Sequence, residues 1–295
     1  MCAVLDDLVI ALYVTVDELL GKRPGPGRPP RLSDAELVCL AVAQVLLGCN
    51  SERRWLRFVG RRLRHLFPYV PGQSGYNRRL RAAAPALRLA LEHLARQAPS
   101  WWDQWRLLDA TPVPCGASRQ TVQRSALAEW ASYGWERSHS RWYWGLKLYL
   151  LATPDGMPVT WCLASPKLGE REVAAELLGL ASDHGSLRQG MVIAADKGLA
   201  GRDFEAGIAK LGVVLVRPDR RDEPHRWGSL GGIRQWVESI IATLKDQLGL
   251  ERHGAHTPQG LWVRVAQRLL ALAAGVWFNW QLGIADKRSL VAYDH

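Results

Sequence analysis

Trp105-Arg106-Leu107-Leu108-Asp109, followed by Ala110-Thr111-Pro112, is a short apolar run that ends in a carboxylate. A bounded apolar run of this length reads as a buried strand, because a helix needs ten residues or more. Met191-Val192-Ile193-Ala194-Ala195-Asp196 repeats the pattern and ends in the same way. Outward from these two runs, strands are predicted near 105–110, 143–152, 157–164, 190–195 and 212–216. The first three form an antiparallel meander, with Thr153-Pro154-Asp155-Gly156 as a hairpin turn. Helical periodicity fills 169–184, 201–211, 233–248 and 258–281. Strands first in a hairpin series and then alternating with helices predict an α/β fold, a mixed sheet with helices on its faces.

The first hundred residues read as helical. Apolar positions recur over 3–20, and the Gly/Pro-rich stretch 24–30 then breaks the chain. Ser33 and Glu36 have capping-box spacing and open a helix that stops near Gly48. Ser51 caps a third helix to about residue 65, and Ser74 a fourth to about residue 97, which Pro85 kinks or divides. The predicted organisation is therefore a helical region over 1–100, an α/β domain over 101–283 and a polar, loosely tied tail over 284–295. Trp55, Trp262 and Trp277 sit at helical apolar positions and read as core.

Composition narrows the function. Of 295 residues 48% are apolar, so the chain is globular, and Lys plus Arg exceed Asp plus Glu by 38 to 28. That balance points to a polyanionic partner, nucleic acid before membrane. No run reaches 18 uninterrupted apolar residues, and the acidic start Asp6-Asp7 does not resemble a signal peptide. Five scattered cysteines without a C-x-x-C pair read as reduced thiols, which places the protein in the cytoplasm. Nine arginines between 53 and 81 face one acid, Glu52. They form either a solvated face or a helical DNA-binding module whose arginines, Arg78 and Arg79 among them, neutralise phosphates.

The chemistry gathers on three acids. Asp109 and Asp196 end the apolar runs, and Glu238 lies within the helical segment Ile233-Arg234-Gln235-Trp236-Val237-Glu238-Ser239-Ile240. If the two strands are neighbours, about 4.8 Å apart, their carboxylates can share a metal that Glu238 faces from a helix. Oxygen donors suit Mg²⁺ or Mn²⁺, and two ions bridged by carboxylates activate a hydroxyl and stabilise the leaving oxygen in phosphodiester cleavage. Arg234, Glu238 and Lys245 stand at R-x3-E-x6-K spacing, which on an α-helix puts two cations and one carboxylate on one face. Lys197, next to Asp196, reaches a phosphate or is a surface lysine.

Other candidates carry less. His253 and His256 have H-x-x-H spacing, but Gly254 and Pro258 make that segment a loop, where Arg252 and His253 meet DNA if they act at all. His139-Ser140-Arg141-Trp142-Tyr143-Trp144 is a basic-aromatic edge that either stacks on an unpaired base or, more plainly, buries its aromatics at a strand start. Segment 115–142 holds Arg119, Arg124, Arg137 and Arg141, has no clear period and reads either as an ordered DNA-contacting loop or as a flexible insertion. A G-x-x-x-x-G-K-[ST] phosphate loop and a G-x-S-x-G elbow are both absent from the sequence, against ATP-driven and Ser-His-Asp chemistry.

Leu107-Leu108-Asp109-Ala110-Thr111-Pro112, Ile193-Ala194-Ala195-Asp196-Lys197-Gly198 and the Arg234/Glu238/Lys245 block together resemble bacterial insertion-sequence transposases of the DDE type. The resemblance extends to Leu32-Ser33-Asp34-Ala35-Glu36 and over nearly the whole chain. It implies a ribonuclease H-like catalytic domain, with Asp109, Asp196 and Glu238 holding two Mg²⁺ or Mn²⁺ ions and Arg234 and Lys245 engaging DNA. It implies strand cleavage at the terminal inverted repeats of an element and transfer to target DNA, by a homodimer associated with the nucleoid. A nuclease of the same fold that does not join, and a DNA-binding regulator without catalysis, are the alternatives. Gly231 stands where the longer signature of related families has a tyrosine, so no tyrosine role is carried over.

Overall fold

The computed structural model describes residues 3–21, 30–136, 140–228 and 230–293. The predicted break over 24–29 and the candidates Arg137 and His139 lie outside the described residues. The chain divides into two compact units, one built from Met1–Gln97, Thr243–Ala255 and Gln259–His295, the other from Ala98–Ala242 with His256–Pro258.

The first unit is helical: α1 (Ala3–Leu20), α2 (Asp34–Leu46), α3 (Glu52–Arg62), α4 (Gln73–Ala82), α5 (Ala84–Gln97) and, from the far end of the chain, α10 (Pro258–Gln281). Ser33 and Glu36 form the predicted capping box on α2, with the Glu36 N–H donating to Ser33 Oγ at 3.0 Å, and Ser51 caps α3. Pro85 divides the predicted fourth helix. Having no N–H and a ring that crowds the preceding turn, it is accommodated in the first turn of α5, and the break falls at Ala83. α10 is apolar on nearly every side and serves as the core helix: 89% of its most apolar 18-residue window is buried. Its buried polar residues are satisfied, Gln267 Nε2 donating to Ala41 O at 2.7 Å and Arg268 Nε to Gly249 O at 2.8 Å.

The tail departs from expectation. Rather than hanging loose, it folds back on α10: Asn279 Nδ2 donates to Lys287 O and Ser289 O, and Tyr293 Oη donates to Asn279 Oδ1 at 2.6 Å. Leu290 and Tyr293 are fully buried. A buried amide with four hydrogen-bonding positions needs partners, and the polar tail supplies them.

The second unit is a mixed sheet with helices: β1 (Trp105–Gly116), α6 (Arg119–Arg124), β2 (Ser132–Glu136), β3 (Arg141–Ala152), β4 (Pro158–Ala164), α7 (Glu170–Asp183), β5 (Val192–Ala195), α8 (Arg202–Lys210), β6 (Val214–Val216) and α9 (Gly231–Ala242). β3 pairs antiparallel with β1 along one edge, and with β2 and then β4 along the other; β1, β5 and β6 run parallel. This is the predicted α/β class and the ribonuclease H-like strand arrangement. Gly156 (φ 91°) closes the predicted hairpin, with Thr153 N–H donating to Met157 O.

Two differences have local causes. β1 continues past Asp109 through Pro112 and Pro114, which a strand tolerates where its second edge is open. β5 covers only Trp105–Leu108. β3 passes this segment closely at Gly145, where a Cβ would stand 2.2 Å from Val113 O, so the close approach requires glycine. The segment read as a loop holds α6 and β2, both too short to show a period.

Between β6 and α9 the chain is tied by ions. The buried Arg217 donates to Glu205 Oε1 at 2.5 Å and to Glu223 Oε2 at 2.7 Å, while Arg226 joins Asp219 at 3.1 Å and Glu205 at 3.0 Å.

Candidate active site on the mixed sheet

Leu108 and Ala195 are the last residues paired between β1 and β5, so Asp109 and Asp196 are the next residues on two neighbouring parallel strands. Strand spacing sets their backbones about 5 Å apart. Asp109 stays within β1, opposite Leu150 of β3, whereas Asp196 leaves the sheet at the start of a 3-10 turn over Lys197–Leu199.

Asp109 is half-buried in a cleft whose walls are Leu107, Leu150 and Ala152 from the sheet and Val237, Ile240 and Ile241 from α9. Burial pushes its carboxyl up to about 7, and the charges of Asp196 and Glu170 push the same way. The Ala110 backbone and Lys147 oppose the rise. Asp196 is exposed.

Glu238 projects from α9 with its side chain 63% exposed, and accepts from Arg234 Nε at 2.9 Å. That hydrogen bond holds the Arg234 guanidinium above its ordinary range. The Glu238 charge adds to it, and then Asp196 and Asp109, so one guanidinium senses all three carboxylates.

The donor set fits a hard divalent cation: the groups are carboxylate oxygens, and burial disfavours the Asp109 charge, which a cation would compensate. Among the described residues no three His, Cys, Asp or Glu side chains already lie close enough to hold an ion. Asp109 is set by register and Asp196 directly follows the last paired residue of β5, while Glu238 is engaged with Arg234.

The remaining candidates fall in different places. Lys197 is exposed directly after Asp196. Lys245 belongs to the helical unit, where the α-helical spacing assumed for it ends: Thr243–Gln247 is a π-helical turn, and Lys245 Nζ lies 3.2 Å from Glu251 Oε1. Arg78 is exposed on α4. Arg79 is committed internally, donating to Leu32 O at 2.6 Å and to Asp34 Oδ1 at 2.8 Å, which braces the start of α2. On α3, Arg54, Arg57, Arg61 and Arg62 line one shallow cleft with Phe58. At the start of β3 the plainer expectation of buried aromatics holds for Tyr143 and Trp144 but not for Trp142, which is 68% exposed.

Two residues near the site escaped the sequence reading. Glu170 begins α7, where an acid reads as a favourable helix N-terminal charge, and it is ion-paired with Lys147 of β3. The available signal was Lys147 itself, a lone cation in Trp144-Gly145-Leu146-Lys147-Leu148-Tyr149-Leu150.

The sheet order and the neighbouring strand-end acids define a ribonuclease H-like protein. The family model of the transposase DDE domain matches residues 103–274, more than half of the chain. The chain therefore belongs to this family and is a DNA transposase. No curated protein matches it. Among solved structures, it is similar to a piggyBac transposase synaptic complex with hairpin DNA, determined by cryo-EM. The identity is 10% and the TM-score 0.48, over 98% of this chain and 76% of that one. It is also similar to a pre-cleavage Mos1 transpososome in a crystal structure, at 13% identity and a TM-score of 0.23, over 91% of this chain and 82% of that one.

Proposed function

We propose that this transposase cleaves DNA at the ends of an insertion sequence and joins the exposed 3′-hydroxyl to target DNA at one site made by Asp109, Asp196 and Glu238. The observation that carries the reading is the Leu108–Ala195 register, which sets the two aspartates side by side beneath the helix of Arg234 and Glu238. Two Mg²⁺ or Mn²⁺ ions held by these carboxylates would supply positive charge at the attacking and leaving oxygens.

The protein's own residues do the positioning. Asp109 and Asp196 enter from fixed strand positions. Arg234, exposed and bonded only lightly to Glu238, can turn its guanidinium to a phosphate as Glu238 turns to the cleft. Cleavage and joining are both in-line displacements at phosphorus, with water and then the 3′-hydroxyl as nucleophile, so the same three carboxylates serve both.

Double-stranded DNA, as terminal repeats and as target, would be held by Arg78 and the exposed arginines of the helical region 1–100, with Lys197 and Lys245 adding phosphate contacts. Arg79, engaged with Asp34, contributes by bracing that region. Pairing two element ends calls for a homodimer, acting on chromosomal DNA in the cytoplasm.

Asp109→Asn, Asp196→Asn and Glu238→Gln should each lower metal-dependent strand cleavage by at least about 10³-fold while end binding persists. Retained cleavage in any one removes that residue from the site. Labelled element ends that never become covalently joined to a target plasmid would reduce the activity to that of a nuclease.

A further inference from the structure

Glu170 opens α7 and reaches the loop that carries Asp196. Its Oε2 lies 3.3 Å, and Asp196 Oδ2 3.9 Å, from the point where a Cβ on Gly198 would stand. The two carboxylates thus border the same space over a residue with no side chain. The other oxygen of Glu170 is ion-paired with Lys147, whose side chain is only 16% exposed. Tyr143, Lys147 and Tyr149 alternate along β3 and share a face. The hydroxyls of Tyr143 and Tyr149 are buried without a hydrogen-bond partner among the described residues; Tyr149 senses the Glu170 charge first among charges, and Tyr143 senses it after that of Glu136. Buried polar groups are normally satisfied, so the surroundings of Glu170 are built for polar chemistry that the ion pair alone does not complete. A helix-terminal acid kept only for its dipole needs neither the lysine, nor the hydroxyls, nor the glycine opposite.

We propose that Glu170 is a positioning carboxylate of the transposase site: it stands behind Asp196 across Gly198, with Lys147 as its resident counter-ion, and sets how tightly the site takes a divalent cation. The inference rests on the reading of Asp196 as a metal-facing carboxylate. Its signature is one of sign. Glu170 adds negative charge beside Asp196, and Lys147 cancels part of it. Removing the glutamate must weaken cation binding, and removing the lysine must strengthen it.

The experiment uses the full chain with Mn²⁺ alone, free Mn²⁺ being followed by electron paramagnetic resonance, and with thermal unfolding recorded on the same samples. Glu170→Gln should weaken Mn²⁺ binding about 10-fold, the lower end of what outer partners of metal ligands contribute. Lys147→Met should tighten it, although both variants lose the same ion pair. Gly198→Ala, whose Cβ displaces the Glu170 carboxylate, should weaken binding with every charge intact. A merely structural pair lowers the unfolding temperature in both variants and leaves Mn²⁺ affinity unchanged, which would overturn the proposal. Should Glu170→Gln not fold, Lys147→Met decides alone, and an unchanged or weakened affinity there rejects it. Asp196→Asn separates the two levels: if Mn²⁺ binds that variant as it binds the native chain, the site itself is misassigned.

Discussion

The strand ends of β1 and β5 and the helix α9 would contribute to the proposed site in opposite ways. The strands are pinned: hydrogen-bond register fixes Asp109 within β1 and holds β5 up to Ala195, the residue before Asp196, and Leu107, Leu108 and Ile193 are at 2% exposure or less. Among the described residues of α9, Ile240 is the buried one, and Glu238 stands out in solvent on its own arginine. An element with so few buried contacts opens at low cost. In the proposed site the sheet would therefore supply the rigid half and the helix the adjustable half. Mn²⁺ affinity tests this division with the largest effect. Asp109→Asn or Asp196→Asn should cost more than the roughly 100-fold upper bound for outer partners, and Glu238→Gln nearer 10-fold, though all three should lose cleavage to the same extent. Equal losses would show that α9 is as preset as the strands.

Ile240, the buried residue of the helix, lines the cleft together with Leu107 and Leu150. Ile240→Ala removes about 2–5 kcal/mol of packing. The loss should appear as faster amide exchange across Gly231–Ala242 while β1 amides are unaffected, since the helix opens locally. If β1 accelerates equally, sheet and helix unfold as one unit and the proposed division fails.

The rigid half also leaves a signature in pH. The Asp109 carboxyl sits at about 7 in the folded chain against 3.8 ordinarily, raised by burial and then by Asp196 and Glu170. The folded protein thus keeps a proton that the unfolded chain has released. The stability this group contributes is fully present below its unfolded value and is lost as pH rises through the window from 3.8 to about 7. Asp109→Asn, which titrates in neither state, should become more stable relative to the native chain as pH rises across that window, and then level off. A difference independent of pH would mean that Asp109 is solvated in the fold.

What the sequence disclosed follows the same division. The strands carrying Asp109 and Asp196 were legible because they are apolar, short and bounded, and their adjacency then follows from sheet topology. The Ser33–Glu36 box and the break at Pro85 were legible because capping and proline chemistry act within a few residues. β2 and α6 were not, since Ser132-Tyr133-Gly134-Trp135-Glu136 is too brief and glycine-interrupted to show alternation. The π-helical turn at Thr243 was invisible because an i+7 spacing assumes an unbroken α-helix. Glu170 and Arg217 were missed for a different reason: their roles depend on partners in other elements or loops that no local period marks, Lys147 for one and Glu205 with Glu223 for the other.

The smallest expected effect bears most directly on the adjustable half. Arg234 and Glu238 form an exposed i, i+4 pair with side chains 67% and 63% accessible, a geometry that contributes about 0.3–0.5 kcal/mol. Arg234→Ala should therefore leave the unfolding temperature almost where it was. Its guanidinium nevertheless competes with any cation for Glu238 and is sensed by Asp196 and Asp109. Removing it should tighten Mn²⁺ binding slightly, while cleavage falls because the phosphate loses its arginine. Arg234→Lys keeps the charge but not the planar fork, so it should restore the Mn²⁺ affinity of the native chain without restoring cleavage. If instead Arg234→Ala destabilises the protein by several kcal/mol, the pair is a structural clamp, and α9 belongs with the pinned strands.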